Sequence, residues 1–154
     1  MKNLEELSLG STKITDAGLK EVAKLQKLET LLLTHTKITD VGLKNVAMLK
    51  NLTWLDLSST QITDTGLKEV AKLKTLESVH LKGTRITDEG LKEVAKLEKL
   101  KWLVLHSTNI TNESLMEAAK LKNLKVLNLY RTKVTEAGVA EFKKALPKCS
   151  ILGL

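Results

Sequence analysis

The chain has 154 residues and a formal charge of +7 at pH 7, from 25 lysines and arginines against 18 aspartates and glutamates. That balance admits an anionic partner, but the single cysteine, Cys149, excludes an internal disulfide or a metal site built on a cysteine cluster. No apolar run of about 18 residues could span a membrane and no basic-then-apolar leader is present, so nothing in the sequence assigns a compartment.

The first element lies in "LEELSLGST", where Leu7 and Leu9 alternate with Glu6, Ser8 and Gly10. That two-residue rhythm predicts a short strand with one buried face. In the following "TDAGLKEVAKL", Leu19, Val22 and Ala23 stand at i, i+3 and i+4, with Lys20, Glu21 and Lys24 on the opposite side. This spacing predicts a short amphipathic helix, which Thr15 or Asp16 can cap by accepting a free first-turn N–H.

The same strand, turn and helix then recur. Leu25, Leu49, Leu73, Leu97 and Leu121 are spaced by 24 residues, a period that marks a stack of units packed on their neighbours. The third unit, "WLDLSSTQITDTGLKEVAKLKTL", keeps its right half close to the first but changes its left half. The fifth replaces "TDxGL" with "TNESL", placing Asn112 and Ser114 at positions that hold an acidic residue and glycine elsewhere.

Six units occupy residues 1–144, and residues 139–154 are expected to close the array. There Phe142, Leu146 and the strand-like "CSILGL" supply apolar surface, and Ile151 follows Leu127 by one period. The only proline, Pro147, lies in this terminal segment and no internal linker is visible, so residues 1–154 are read as a single domain. At the other end Met1 stands at the leucine position without a cap, leaving an edge free to pair with another copy.

Strands that return once per turn, each followed by a helix, must lie parallel and side by side. Helices are wider than the roughly 4.8 Å spacing of strands, so the stack curves with helices outside and strands inside. The pattern "LxxLxxLxLxxTxITDxGLxxVAK" resembles the leucine-rich repeat, in a short form similar to arrays in bacterial, particularly planctomycete-like, proteins; "GVAEFKKALPKC" also resembles the way such arrays end. The resemblance covers nearly the whole chain. It implies an α/β right-handed horseshoe, with a parallel β-sheet on the concave face and short α-helices on the convex face, and partner binding on the concave face.

The usual asparagine after the strand is replaced in every unit by threonine: Thr12, Thr36, Thr60, Thr84, Thr108 and Thr132. A hydroxyl both donates and accepts, so these residues are expected to bond turn backbone and form a structural ladder along the stack.

Buried leucines repeat because each unit packs on a near-copy of itself, whereas the outward strand positions are free to vary. Down the stack these hold Glu6, Thr30, Trp54, Ser78, Trp102 and Val126, then Ser8, Leu32, Asp56, His80, Val104 and Asn128. A third column holds Gly10, Thr34, Ser58, Lys82, His106 and Tyr130, and a fourth holds Ser11, His35, Ser59, Gly83, Ser107 and Arg131. Both tryptophans, the tyrosine and all three histidines fall in these columns, and such side chains combine contact area with a polar tip. The candidate ligand-binding residues are Trp54, Asp56, His80, Lys82, Trp102, Val104, His106, Tyr130 and Arg131.

Trp54 and Trp102 share a column two strands apart, roughly 10 Å at ordinary strand spacing, around Ser78. Asp56 and His80 are lateral neighbours, an arrangement expected to raise the histidine pKa. No Ser or Cys stands out beside His80 with an oxyanion site, and His106 lies diagonal to it without a strong third ligand, so neither catalysis nor a metal or other cofactor is expected. Most lysines recur on or beside the convex helices among glutamates. The column flanking the strands runs Glu5, Glu29, Thr53, Glu77, Lys101, Lys125, acidic early and basic late. A dipolar protein or peptide therefore suits the concave face better than uniform phosphate, and nucleic acid is disfavoured. The reading is a non-catalytic binding module for a protein or peptide; the alternatives are a structural spacer in a larger protein and a glycan binder stacking on Trp54 and Trp102.

Overall fold

The computed structural model describes residues 3–153; Met1 at the leucine position, and Leu154 at the end of "CSILGL", lie outside them. The chain alternates β1 (Glu6–Ser8), α1 (Asp16–Val22), β2 (Thr30–Leu32), α2 (Asp40–Val46), β3 (Trp54–Asp56), α3 (Asp64–Val70), β4 (Ser78–His80), α4 (Asp88–Val94), β5 (Trp102–Val104), α5 (Asn112–Ala118), β6 (Val126–Asn128), α6 (Glu136–Ala145) and β7 (Ser150–Leu152). All seven strands form one parallel sheet in sequence order. Equivalent positions pair one period apart, as in Leu31 with Leu55 and Leu55 with Val79. This is the α/β solenoid of parallel strands and short helices that the resemblance to the leucine-rich repeat implies.

The core follows from the two rhythms. Central strand residues Leu31, Leu55, Val79, Leu103 and Leu127 meet helix residues Leu43, Leu67, Leu91 and Leu115, all buried. Full burial of one such side chain contributes about 1.5–3 kcal/mol before entropic costs. The convex surface carries i,i+3 ion pairs such as Lys24–Glu21, Lys72–Glu69 and Lys120–Glu117. These pairs are solvated and contribute little each.

The recurring threonines act more locally than a ladder. Each hydroxyl of Thr12, Thr36, Thr60, Thr84, Thr108 and Thr132 donates to the carbonyl three residues earlier in its own turn, at 2.6–2.7 Å. They fasten each turn to itself, because the hydroxyl lies beneath its own strand end and not beside the next unit.

The side-chain link that recurs most regularly between units is made by the aspartates that open the first four helices. Asp16, Asp40, Asp64 and Asp88 each accept the backbone N–H of the next unit's threonine, Thr39, Thr63, Thr87 and Thr111, at 2.8–2.9 Å. The other carboxylate oxygen accepts that threonine's hydroxyl at 2.6–2.8 Å. The expected capping is thereby divided. Thr39, Thr63, Thr111 and Thr135 accept an N–H from their own helix's first turn, Thr15 and Thr87 do not, and the aspartate reaches forward.

These links explain the helix glycines. A Cβ at Gly42, Gly66 or Gly90 would lie 2.3–2.4 Å from Oδ1 of the preceding unit's aspartate. In the fifth unit Ser114 occupies that place, and its hydroxyl donates to Asp88 Oδ1. Burial alone would raise the Asp88 pKa, but the bonds from Ser114 and Thr111 outweigh it and the pKa is lowered.

Candidate functional site

The three-residue strands end sooner than the four outward columns imply. Only the first two columns lie within strands. In the fourth, Ser11, His35, Ser59, Ser107 and Arg131 have φ between 54° and 56° and Gly83 has φ 65°, so the backbone turns through the left-handed region there in every unit. A non-glycine residue costs roughly 1–2 kcal/mol in that region. The third column is not uniformly exposed either: Ser58 is buried, and its N–H donates to Asp56 Oδ1 at 2.8 Å.

The parallel register puts Trp54, Ser78 and Trp102 in one row and Asp56, His80 and Val104 in the next. Trp54 and Trp102 remain 45% and 40% exposed, whereas Ser78 between them is 4% exposed. A cavity of about 300 Å³ opens here, with both indoles and Ser78 among its lining residues. The lining continues over His80, Leu103, Val104, Val126, Asn128 and Leu152. Val126, Asn128 and Leu152 were not among the sequence-derived candidates. Register could have found them, since Leu152 follows Asn128 by one period.

His80 packs its ring 5.4 Å from that of Trp54, tilted by 50°. Its Nδ1 lies 3.8 Å from Asp56 Oδ2, too far for a hydrogen bond, and its Nε2 is 3.2 Å from Ser78 Oγ. Two sequence expectations are corrected here. The His80 pKa is lowered, not raised, because burial outweighs the attraction of Asp56. A serine does stand beside His80, since residues i and i+2 share a strand face.

The trio is nevertheless not arranged as a nucleophilic triad. Asp56 uses Oδ1 on the Ser58 backbone and does not hold the imidazole. Ser78 lies on a central strand and its own N–H is taken by the Thr53 carbonyl at 2.9 Å, so it does not face an oxyanion. Among the described residues, no group of three or more His, Cys, Asp or Glu side chains could hold a metal ion.

Where the strands turn away, Tyr130 is 48% exposed and meets His106 edge-on, with ring centroids 4.9 Å apart. The Arg131 guanidinium lies 5.4 Å from the Tyr130 ring centroid. Burial, followed by the charges of Lys82 and Arg131, lowers the His106 pKa. Among the described residues, neither Lys82 nor Arg131 has a carboxylate within 4.0 Å, whereas Lys101 pairs with Glu77 at 2.7 Å. No helix among the described residues is long and apolar enough to cross a membrane.

An open parallel sheet lined by short helices at a fixed period defines a repeat solenoid with one variable face. Residues 2–62 and 26–86 match the family described as "Leucine rich repeat"; together these windows cover more than half of the chain, which belongs to the leucine-rich-repeat family. No curated protein matches the sequence. The structure is similar to an internalin (inlF) of Listeria monocytogenes, with a TM-score of 0.77 and 26% identity over 99% of this chain and 48% of that one. It also resembles a leucine-rich-repeat protein of Leptospira interrogans, with a TM-score of 0.58 and 27% identity over 97% and 49% of the two chains. For internalin C2 of Listeria monocytogenes the values are 0.69 and 25%, over 96% and 69%. The chain spans about half the length of the first two. Leucine-rich-repeat folds commonly mediate protein–protein interaction, and the family and its internalin-like members are generally non-catalytic.

Proposed function

We propose that this chain is a non-catalytic binding module that holds a protein or peptide partner against its concave sheet. The observation that carries this reading is the cavity between Trp54 and Trp102, open on the face whose residues differ most between units. Of the large hydrophobic side chains left exposed, Trp54, Trp102, Tyr130 and Leu152 lie on or beside this face, while Val41, Met48 and Met116 lie on the helical side. A concentration of exposed apolar area with polar groups around it favours macromolecular contact.

A sugar is served less well. It needs several open donors and acceptors, but Ser78 Oγ is engaged with His80, and Asn128 Oδ1 accepts the Tyr130 N–H at 3.1 Å. An inserted apolar side chain needs neither. The test is a screen on protein, peptide and glycan arrays, comparing the parent with a variant carrying Trp54→Ser, His80→Ser, Trp102→Ser and Tyr130→Ser. Protein or peptide signals lost in a variant with unchanged circular dichroism support the proposal. Signals shared by both proteins refute it, as does an empty screen, which favours a spacer role.

A further inference from the structure

We infer that the bound segment of the partner is acidic as well as apolar: an apolar side chain fills the Trp54/Trp102 slot while a carboxylate one strand-step away meets Lys82 and Arg131. This rests on the concave-face reading and adds the chemistry of the ligand.

The slot's lining is dominated by the two indoles with Leu103, Val104, Val126 and Leu152, and its polar members Ser78, His80 and Asn128 each make an internal bond, Ser78 Oγ with His80 Nε2 and Asn128 Oδ1 with the Tyr130 N–H. Water gains few hydrogen bonds there, so its displacement by an apolar group is favourable. An unbranched or aromatic side chain is of suitable size for about 300 Å³ shared with the flanking peptide.

The charge around the slot is uneven. On the unit-three side lies Asp56, whose Oδ1 is committed to its own turn. At the strand ends of units four to six stand Lys82, His106 and Arg131, and the two permanent cations have no carboxylate within 4.0 Å among the described residues. Lys101, at the other ends of the strands, is already neutralised by Glu77. Unmatched positive charge therefore gathers at the ends of the strands of units four to six, with Lys82 and Arg131 on one side of the slot and Lys125, before β6, as a further cation without a carboxylate within 4.0 Å among the described residues.

Distance then sets the spacing in the ligand. Lys82 follows His80, and His106 follows Val104, by two residues along the chain. At about 3.3 Å per residue this is at most roughly 7 Å from the edge of the slot, because β4 and β5 end at His80 and Val104 and the chain turns away just beyond Lys82 and His106. An extended ligand segment places residues i and i+2 on one side at that same separation. The motif is thus an apolar residue followed or preceded at two positions by Asp or Glu. A phosphodiester chain crossing the sheet fits less well, because its repeated charges would also pass the Asp56 carboxylate beside His80.

The experiment uses the full chain and fluorescent peptides built on a Gly/Ser frame, carrying Leu, Phe or Trp at i and Glu, Lys or Gln at i+2. A poly-dT oligonucleotide is the competing probe. Glu peptides should bind about tenfold more tightly than Lys peptides at low salt, and the difference should shrink when salt is raised to about 0.5 M. Lys82→Glu with Arg131→Glu should reverse the order, while Trp102→Ser should weaken every peptide.

Binding that depends on Trp102 but ignores charge at i+2 overturns this inference and leaves the concave site standing. Binding insensitive to Trp102 overturns both. A preference for the oligonucleotide abolished by the charge reversal would replace the acidic peptide with nucleic acid, and no peptide binding up to on the order of 1 mM would also refute the inference.

Discussion

Removing one inter-unit carboxylate, in Asp64→Ala, tests what holds neighbouring helices in register. Asp64 accepts the Thr87 N–H at 2.8 Å and the Thr87 hydroxyl at 2.6 Å. Asp64 Oδ1 is the acceptor of the Thr87 N–H, which therefore loses its partner in the variant. Hydrogen bonds to a charged group contribute about 1.5–3 kcal/mol each when sheltered; here both groups are half-buried, which places the pair near 2–3 kcal/mol in total. Asp64 also stands in the first turn of α3, where a negative charge adds roughly 0.3–1 kcal/mol. The expected loss is about 3 kcal/mol, or a Tm lower by roughly 6–12 °C for a chain of this size.

Urea titration followed by circular dichroism and by the fluorescence of Trp54 and Trp102 measures this loss. Thr87→Val, which keeps the N–H bond and removes only the hydroxyl, should cost about 1 kcal/mol. A loss below about 0.5 kcal/mol for Asp64→Ala, the range of ordinary surface changes, would refute the role given to these links.

Other outcomes follow from the same geometry. The link from Asn112 is uncharged, with Oδ1 accepting the Thr135 N–H at 3.0 Å and Nδ2 donating to the Thr135 hydroxyl at 3.0 Å, so Asn112→Asp, which restores a carboxylate that accepts both groups, should stabilise by about 0.5–1 kcal/mol in the same titration. Gly66→Ala should destabilise by about 1–3 kcal/mol despite better helix propensity, because the new Cβ would lie 2.4 Å from Asp40 Oδ1 and 2.7 Å from Leu43 Cδ1. Thermal melts across pH should show two acid-side losses. Since the folded His80 pKa is below its ordinary 6.5, the unfolded chain binds more protons there; its contribution is complete above 6.5 and falls as pH drops to the folded value. His80→Gln should remove that component. The Asp88 contribution, complete above its ordinary 3.8, should fall at lower pH as the carboxylate protonates and should vanish in Asp88→Asn.

The fold was legible because the buried positions obey two simple periods. Leu7 and Leu9 alternate, Leu19, Val22 and Ala23 follow helical spacing, and the unit returns every 24 residues. Placing Trp54, Ser78 and Trp102 in one row needed only that register. Side-chain directions within the row were harder to read. Ser78 is drawn under the indoles beside His80, and burial of the imidazole overrides the nearby carboxylate, neither of which a column of letters contains. The Asp-to-Thr links had a visible signal, since aspartate and the next unit's threonine recur 23 residues apart through four units. Their chemistry emerges only when α1 is laid against the start of α2. The left-handed turn was hidden because serine, histidine and arginine occupy five of six places, and Gly83 alone gave a hint.

The most direct test of concave binding is the pair of indole N–H resonances in a 15N–1H spectrum, followed while a peptide selected from the array is added. The two signals, assigned with Trp54→Phe and Trp102→Phe, should shift together and saturate with the binding curve, along with the backbone amides of β3 to β6. Saturable binding that moves amides of the convex helices and leaves both indoles in place would contradict the account.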